Sequence, residues 1–395
     1  MMNFVNIHVL STHPFSNMNR DDAGSPKTVT FGGSTRVRLS SQALKRAARL
    51  HLETQSTGER SFRSHYLPQE VTERVVELLA SSGRSLSDEE RADVLAAART
   101  SVRSLTHKKP GSDDKKANAA KKTGPGTDDA EAVPAGKGSD KKETLVWIAE
   151  QEVARLVVTI AGKVGGQTWE TEISEALGQR TDSLAIAAFG RMFAARPELQ
   201  TEAAVQVAHA FTTHEAAMEV DYFTTVDDLS RLYAPDRGAG AGYLDLAEYA
   251  SGTFYRYFNI DRRQLRANWA GFDGTNATER LGDLVQALVL SLPSGKANTT
   301  APQTLPLLVV IEEAAMPASF ADAFEKPVVS RAGYGQSSVE ALLDHRDKCH
   351  HLAPAMFGRA VVVNREDRTG SLEEALRSVG AWLAVDDDVQ EVAAQ

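Results

Sequence analysis

Residues 107–143 carry nine lysines, seven acidic side chains, five glycines, three prolines and six alanines, with Val133 the sole larger aliphatic residue. A stretch so poor in apolar surface cannot offset its ordering entropy by burial. It is therefore expected to be a disordered insertion. Any core must be assembled from the segments on either side of it. Acids interspersed among its lysines nearly neutralise it, so it makes a poor nucleic-acid arm.

The flanks of this run read as helices. Ser87 followed by Glu90 is a capping box, and Ala92, Leu95, Ala96 and Val102 continue an apolar face. Residues 145–160 keep helical period through Val153, Leu156, Val157 and Ile160, with Thr144 as the expected N-cap. A third helix is expected over 67–80. Elsewhere the pattern changes: strands are expected at 3–10, 183–189, 203–213, 252–260, 305–311 and 359–363, and helices at 279–292 and 373–383. Strands alternating with helices around a helical insertion indicate an α+β or split βαβ domain.

The chain is acidic overall, with 44 Lys and Arg against 53 Asp and Glu and a net charge of −9. Residues 17–49 run the other way: Arg20, Lys27, Arg36, Arg38, Lys45, Arg46 and Arg49 face only Asp21 and Asp22. A basic patch on an acidic body can hold a polyanion that the body repels elsewhere. The helix expected from Ser40-Ser41 sharpens this. Leu44, Ala47, Ala48, His51 and Leu52 form its apolar stripe, while Gln42, Lys45, Arg46 and Arg49 recur on the opposite face. A serine N-cap is expected to leave free N–H groups at the positive end of the dipole, and the cations are expected to stand without acidic partners. Together these make a phosphate-binding surface.

Cys349 is the only cysteine, so no intramolecular disulfide can form. Its neighbours His345, His350 and His351 lack the second spaced pair of a zinc site, and no metal is expected. The first ten residues show neither a basic n-region nor a long apolar run. A cytoplasmic location without membrane contact is expected.

Four segments carry a resemblance. They are NFVNIHVLSTHPFSNMNRDDAGSPKTVTFGGSTRVRLSSQALKRA at the N-terminus, AHAFTTHEAAMEVDYFTTVDDL at 208–229, SGTFYRYFNI at 251–260 and FADAFEKP at 320–327. They resemble the CasC family, the repeated backbone subunit of type I-E CRISPR Cascade complexes. The resemblance implies an α+β fold shaped as a right hand. A modified RRM-like (ferredoxin-like βαββαβ) palm would occupy 1–59 and 183–395, helical fingers 60–182, and a hairpin thumb about 208–229. It also implies a non-catalytic scaffold without cofactor. Such a scaffold binds the guide RNA, polymerises with copies of itself along the spacer, joins other Cascade subunits and supports target DNA recognition through the guide.

Carried over residue by residue, Arg20, Lys27, Ser40, Gln42, Lys45 and Arg49 would hold phosphates and riboses, with Arg46 on the same face. Met192, in the turn Gly190-Arg191-Met192, would pack beside a displaced nucleotide; the alternative is a core methionine. Thr212, Thr213, His214 and Phe223 would contact the guide from a thumb, 211–223, that protrudes and adds little to the core. Two other functions compete. Related backbone subunits of type III complexes cut RNA with a loop aspartate and a metal, which makes Asp21 and Asp22 candidates for a metal-dependent ribonuclease. Against this, adjacent carboxylates point apart and no further acidic ligand stands nearby. A generic single-stranded RNA-binding protein would explain the basic patch but not the thumb motif.

Overall fold

A computed structural model describes residues 2–55, 60–106, 145–165, 173–225 and 243–384. The expected insertion 107–143, Thr144 and the thumb residues 226–229 lie outside them. In chain order the elements begin with β1 (Phe4–Ser16), β2 (Thr28–Phe31), β3 (Ser34–Leu39), α1 (Ser41–Gln55), β4 (Ser61–Ser64), α2 (Leu67–Ser81) and α3 (Asp88–Thr106). Next come β5 (Val146–Ala149), α4 (Glu150–Ala161), α5 (Ile173–Leu177), α6 (Leu184–Phe189), β6 (Val205–Val207), β7 (Ala210–Thr212) and β8 (Met218–Thr225). The remainder are β9 (Tyr243–Asp261), α7 (Arg262–Asn268), α8 (Ala277–Leu290), α9 (Ala297–Thr300), β10 (Leu308–Ala314), α10 (Gly335–Leu352), β11 (Phe357–Asn364) and α11 (Leu372–Ala384). Two units result: Met1–Thr57 with Ala204–Ala267 and Gly271–Gln395, and Gly58–Ala203 with Asn268–Ala270.

The first unit is built on an antiparallel sheet in the order β11-β10-β1-β9-β7-β3-β2, with β6 and β8 also pairing along β9. β1 is its axis. It pairs with β10 from Phe4↔Ala314 to Leu10↔Leu308 and with β9 from Phe4↔Asp261 onward. A strand covered on both faces is buried without alternation, and Val5 to Ser11 are all buried. Leu10, Val310, Phe320, Phe324, Val339 and Leu342 form a core with α10 on one face. Val5, Ile7 and Val9 point to the other face by strand alternation. Helix α8 packs on both α1 and α11. The expected strand 203–213 is interrupted at 208–209, so β6 and β7 are short pieces along the long β9.

The second unit is mainly helical. Val71, Val75, Val94, Ala98, Val102, Val153, Leu156 and Ile160 share one core. The capping box at α3 forms as expected: Ser87 N–H donates to Glu90 Oε2 at 2.9 Å and Glu90 N–H to Ser87 Oγ at 3.2 Å. Two expectations fail here. Residues 183–189 are not a strand but α6, because Ser183 Oγ caps Ile186 N–H at 3.3 Å and the run is rich in alanine. The helix expected at 145–160 starts only at Glu150, since Val146–Ala149 pair with Ser61–Ser64 as a two-stranded sheet.

Burial of histidines on β1 sets an acid limit on stability. His8 Nδ1 lies 2.9 Å from Tyr255 Oη and its ring stacks on Phe320 at 4.1 Å; His13 Nδ1 lies 2.9 Å from the Pro302 carbonyl. Desolvation by burial lowers the His8 pKa to about 3 and that of His13 to about 4. Unfolded imidazoles take up protons near pH 6.5, so between that pH and the folded values the unfolded state binds more protons. Their contribution is therefore complete above about pH 6.5 and is lost as pH falls, by up to about 1.4 kcal/mol per unit per histidine. Thermal melts should be flat in this term from pH 7 to 8 and fall steeply from pH 6 to 4.5. His8→Phe should flatten that fall, and an unchanged slope in the variant would sink the assignment.

Candidate nucleic-acid interface

The basic loop and the helix after it are one frame. Asn17 Nδ2 donates to the carbonyls of Gly24 and Glu248, both at 2.9 Å. Asp21 Oδ1 accepts the N–H groups of Ala23 at 2.9 Å and Ser25 at 3.0 Å, closing the turn at Gly24, where φ is +89°. Lys27 N–H donates to the Asn19 carbonyl at 2.9 Å, and Ser40 N–H donates to Asn19 Oδ1 at 2.8 Å. Asn19 thus ties the loop carrying Arg20 and Lys27 to the start of α1. Arg20 is exposed and Lys27 half-buried.

Ser40 is the N-cap, its Oγ accepting Ala43 N–H at 3.2 Å. Ser41 N–H donates to His209 Nδ1 at 3.0 Å, and Arg38 Nη1 lies 3.2 Å from the same nitrogen. Two first-turn donors are therefore used within the protein, contrary to the expectation of free N–H groups, which leaves the cationic side chains as the candidate feature of this helix. Leu44, Ala48 and Leu52 are buried, whereas Gln42 and Arg46 are exposed and Lys45 and Arg49 half-buried. Burial holds the Lys45 ammonium below its usual range. An adjacent phosphate would counter that desolvation and favour the charged form. Arg49 pairs with Glu53 at 3.6 Å one turn on, so it does not stand without an acidic partner as expected.

Arg36 leaves the patch altogether. It is fully buried and donates to the carbonyls of Thr212 at 2.9 Å and Phe324 at 3.0 Å. The same region claims three of the expected thumb contacts, since Thr212, Thr213 and His214 are buried. Thr212 Oγ1 accepts Val37 N–H at 3.1 Å, and Thr213 Oγ1 lies 2.8 Å from Ser338 Oγ. His214 Nε2 accepts Thr253 N–H at 3.2 Å while its ring stacks on Tyr334 at 3.7 Å. Burial lowers the His214 pKa, favouring the neutral ring that this bond requires. These side chains hold the sheet together and present nothing outward. Residues 211–214 therefore belong to the sheet and its packing, contrary to the expectation that the whole of 211–223 protrudes and adds little to the core.

What extends from the sheet begins at Met218. Past Ala250, the partner of Ser16 in β1, the β9 strand pairs only with β8 among the described residues, from Glu219↔Tyr249 to Thr225↔Tyr243. Val220, Tyr222, Phe223 and Leu246 are exposed on this ribbon. In the second unit Met192 is 79% exposed, which overturns the core reading of that residue.

A family model described as CT1975-like protein matches residues 5–382. The chain belongs to that family, the CasC-type one its motifs resemble. One solved structure similar to this CT1975-like protein is described as a CRISPR RNA-guided surveillance complex, pre-nicking. It is 29% identical over 96% of this chain and 100% of the other, with a TM-score of 0.75. A second, described as a CRISPR RNA-guided surveillance complex, is 26% identical over 96% of this chain and 99% of that one, with a TM-score of 0.62. Among curated proteins none matches.

His345 Nε2 lies 3.4 Å from Cys349 Sγ, and two of the neighbouring histidines also meet carboxylates. His345 Nε2 lies 3.0 Å from Asp322 Oδ1 and His350 Nε2 lies 3.0 Å from Glu312 Oε2. Among the described residues no three His, Cys, Asp or Glu side chains are grouped to hold a metal, and no helix is long and apolar enough to cross a membrane. Sequence reasoning missed Asn19 and His209, which organise the start of α1. His209 meets Ser41 across 168 positions, so nothing local signals its role.

Proposed function

We propose that this CT1975-like protein is a non-catalytic RNA-binding scaffold of a CRISPR surveillance complex. Its copies line the spacer of a guide RNA and support target DNA recognition through that guide, alongside other Cascade subunits. The observation that carries this reading is the frame joining Arg20 and Lys27, through Asn19, to the helix face of Gln42, Lys45, Arg46 and Arg49. Phosphate contacts of this kind position a strand without reading its bases, as a scaffold on any spacer requires. In this proposal the first unit acts as the palm and the second as the fingers. The β8–β9 ribbon is the thumb, with Phe223 its remaining candidate contact, and Met192 sits beside a displaced nucleotide.

The ribonuclease alternative is weakened at one of its two candidate ligands, because Asp21 Oδ1 already accepts two backbone N–H groups. Asp21→Ala is expected to cost about 1 kcal/mol of loop order, the usual worth of such a cap, and to weaken guide binding a few-fold. Labelled guide RNA incubated with wild-type protein should stay intact with or without magnesium. Magnesium-dependent cleavage that disappears in Asp21→Ala or Asp22→Ala would replace the scaffold reading with the nuclease one.

A further inference from the structure

Met192 is a large apolar side chain held out to solvent, yet its mount is among the most constrained pieces of the second unit. Gly190 ends α6 at φ +76°, and a Cβ there would stand 2.9 Å from both the Ala203 nitrogen and the Thr201 oxygen. Arg191 exchanges both backbone hydrogen bonds with Thr201 at 2.9 Å. The Arg191 side chain, 3% exposed, donates from Nη1 to Glu152 Oε2 at 2.5 Å, and the Glu152 side chain is 0% exposed. The same oxygen accepts Ala149 N–H at 2.8 Å, capping α4. The Arg191 guanidinium lies 5.0 Å from the centre of the buried Phe193 ring. The residues on either side of Met192 therefore point inward, and the chain leaves its side chain nowhere to go but out.

A buried ion pair is a poor way to gain stability, since desolvating both charges offsets much of their attraction. Here the pair is also incompletely satisfied: among the described residues Glu152 Oε1 and Arg191 Nε have no hydrogen-bond partner. Its geometry accomplishes something an apolar pair would not. The guanidinium links the first turn of α4 to the turn after α6, setting the direction in which the next side chain emerges. We propose that Glu152 and Arg191 are positioning residues that fix the backbone at Met192, so that its side chain emerges outward as an apolar wedge for a nucleobase. The nucleobase part rests on the reading of Met192 given above; the rigid mount does not.

The test uses the full chain in three forms: Glu152→Gln with Arg191→Met, Met192→Ala, and the triple variant. The double change removes both buried charges together, and the side-chain amide introduced by Glu152→Gln can still accept the Ala149 N–H, so the fold should survive. With methionine labelled at the backbone nitrogen, the Met192 amide, assigned by its loss in Met192→Ala, should be rigid in wild type and should drop to a loop-like order parameter below about 0.6 in the double variant. Affinity for single-stranded guide RNA should fall about tenfold in the double variant and in Met192→Ala, and no further in the triple, as for residues acting as one unit. A double variant whose Met192 amide stays as rigid as in wild type would overturn the mount itself. Wild-type affinity in Met192→Ala would overturn the nucleobase contact while leaving the mount standing. Losses that multiply in the triple would mean that the pair acts on RNA by another route, which also overturns the proposal. If the double variant fails to fold, Arg191→Lys keeps the charge but loses the planar fork, and the same amide and affinity changes are expected of it.

Discussion

Arg256→Met is expected to lower the melting temperature by about 10 °C. Arg256 is buried in the sheet and gathers the end of α8, donating to the carbonyls of Val289 at 2.7 Å and Ser291 at 3.2 Å and to Ser11 Oγ at 3.2 Å. Those carbonyls have no further helix turn to accept from. Methionine fills comparable space but leaves them facing a dry apolar side chain, at about 1–3 kcal/mol each. Part of that is returned, because burial already penalises the charge and lowers the Arg256 pKa to about 10. A net loss of about 3–4 kcal/mol corresponds to roughly 2–4 °C per kcal/mol in a unit of this size. Calorimetry checks it. A fall of only a degree or two would mean that the helix end finds other partners.

The other large effect belongs to the interface. With Lys45→Ala and Arg49→Ala together, guide RNA binding should weaken for every spacer sequence. If each side chain neutralises one phosphate, log K against log salt flattens by about 1.4, which amounts to roughly 25-fold in affinity at 0.1 M salt relative to a 1 M reference. Stability should fall by about 1–2 kcal/mol, because Arg49→Ala takes the 3.6 Å partner from Glu53, whose side chain is only 13% exposed, while the buried Leu44, Ala48 and Leu52 are untouched. Base preference should not move. An unchanged salt slope in a well-folded double variant would return this face to ordinary solvation, and a loss confined to certain spacers would mean that these side chains touch bases.

The parts of the molecule that could be read from the chain are those where cause and effect lie within one or two helical turns. Helix α1 follows from an apolar stripe of period 3.6 and a serine in front of it, and α3 from a serine and a glutamate three residues apart. The strand–helix confusion at 183–189 shows where such reading ends. A short apolar run suits either period, and one Ser183 cap with a row of alanines decides for helix.

Charge and residue type alone do not separate Arg36 from Arg49, since both are arginines in one basic run. Arg36 is drawn inside because β3 joins the sheet through β7, where Arg38 meets Phe211 and Leu39 meets Ala210. The same pairing buries Thr212, and the fold around it buries Thr213 and His214, residues that by type alone would suit a contact surface. Met192 is the converse, an apolar side chain pushed outward by the Glu152–Arg191 pair on one side and the buried Phe193 on the other. Local pattern determined which faces are apolar and where the positive charge gathers, because those depend on neighbours along the chain. Which charges and which apolar groups remain at the surface was decided by contacts between segments far apart in sequence, whose burial free energy exists only after they meet.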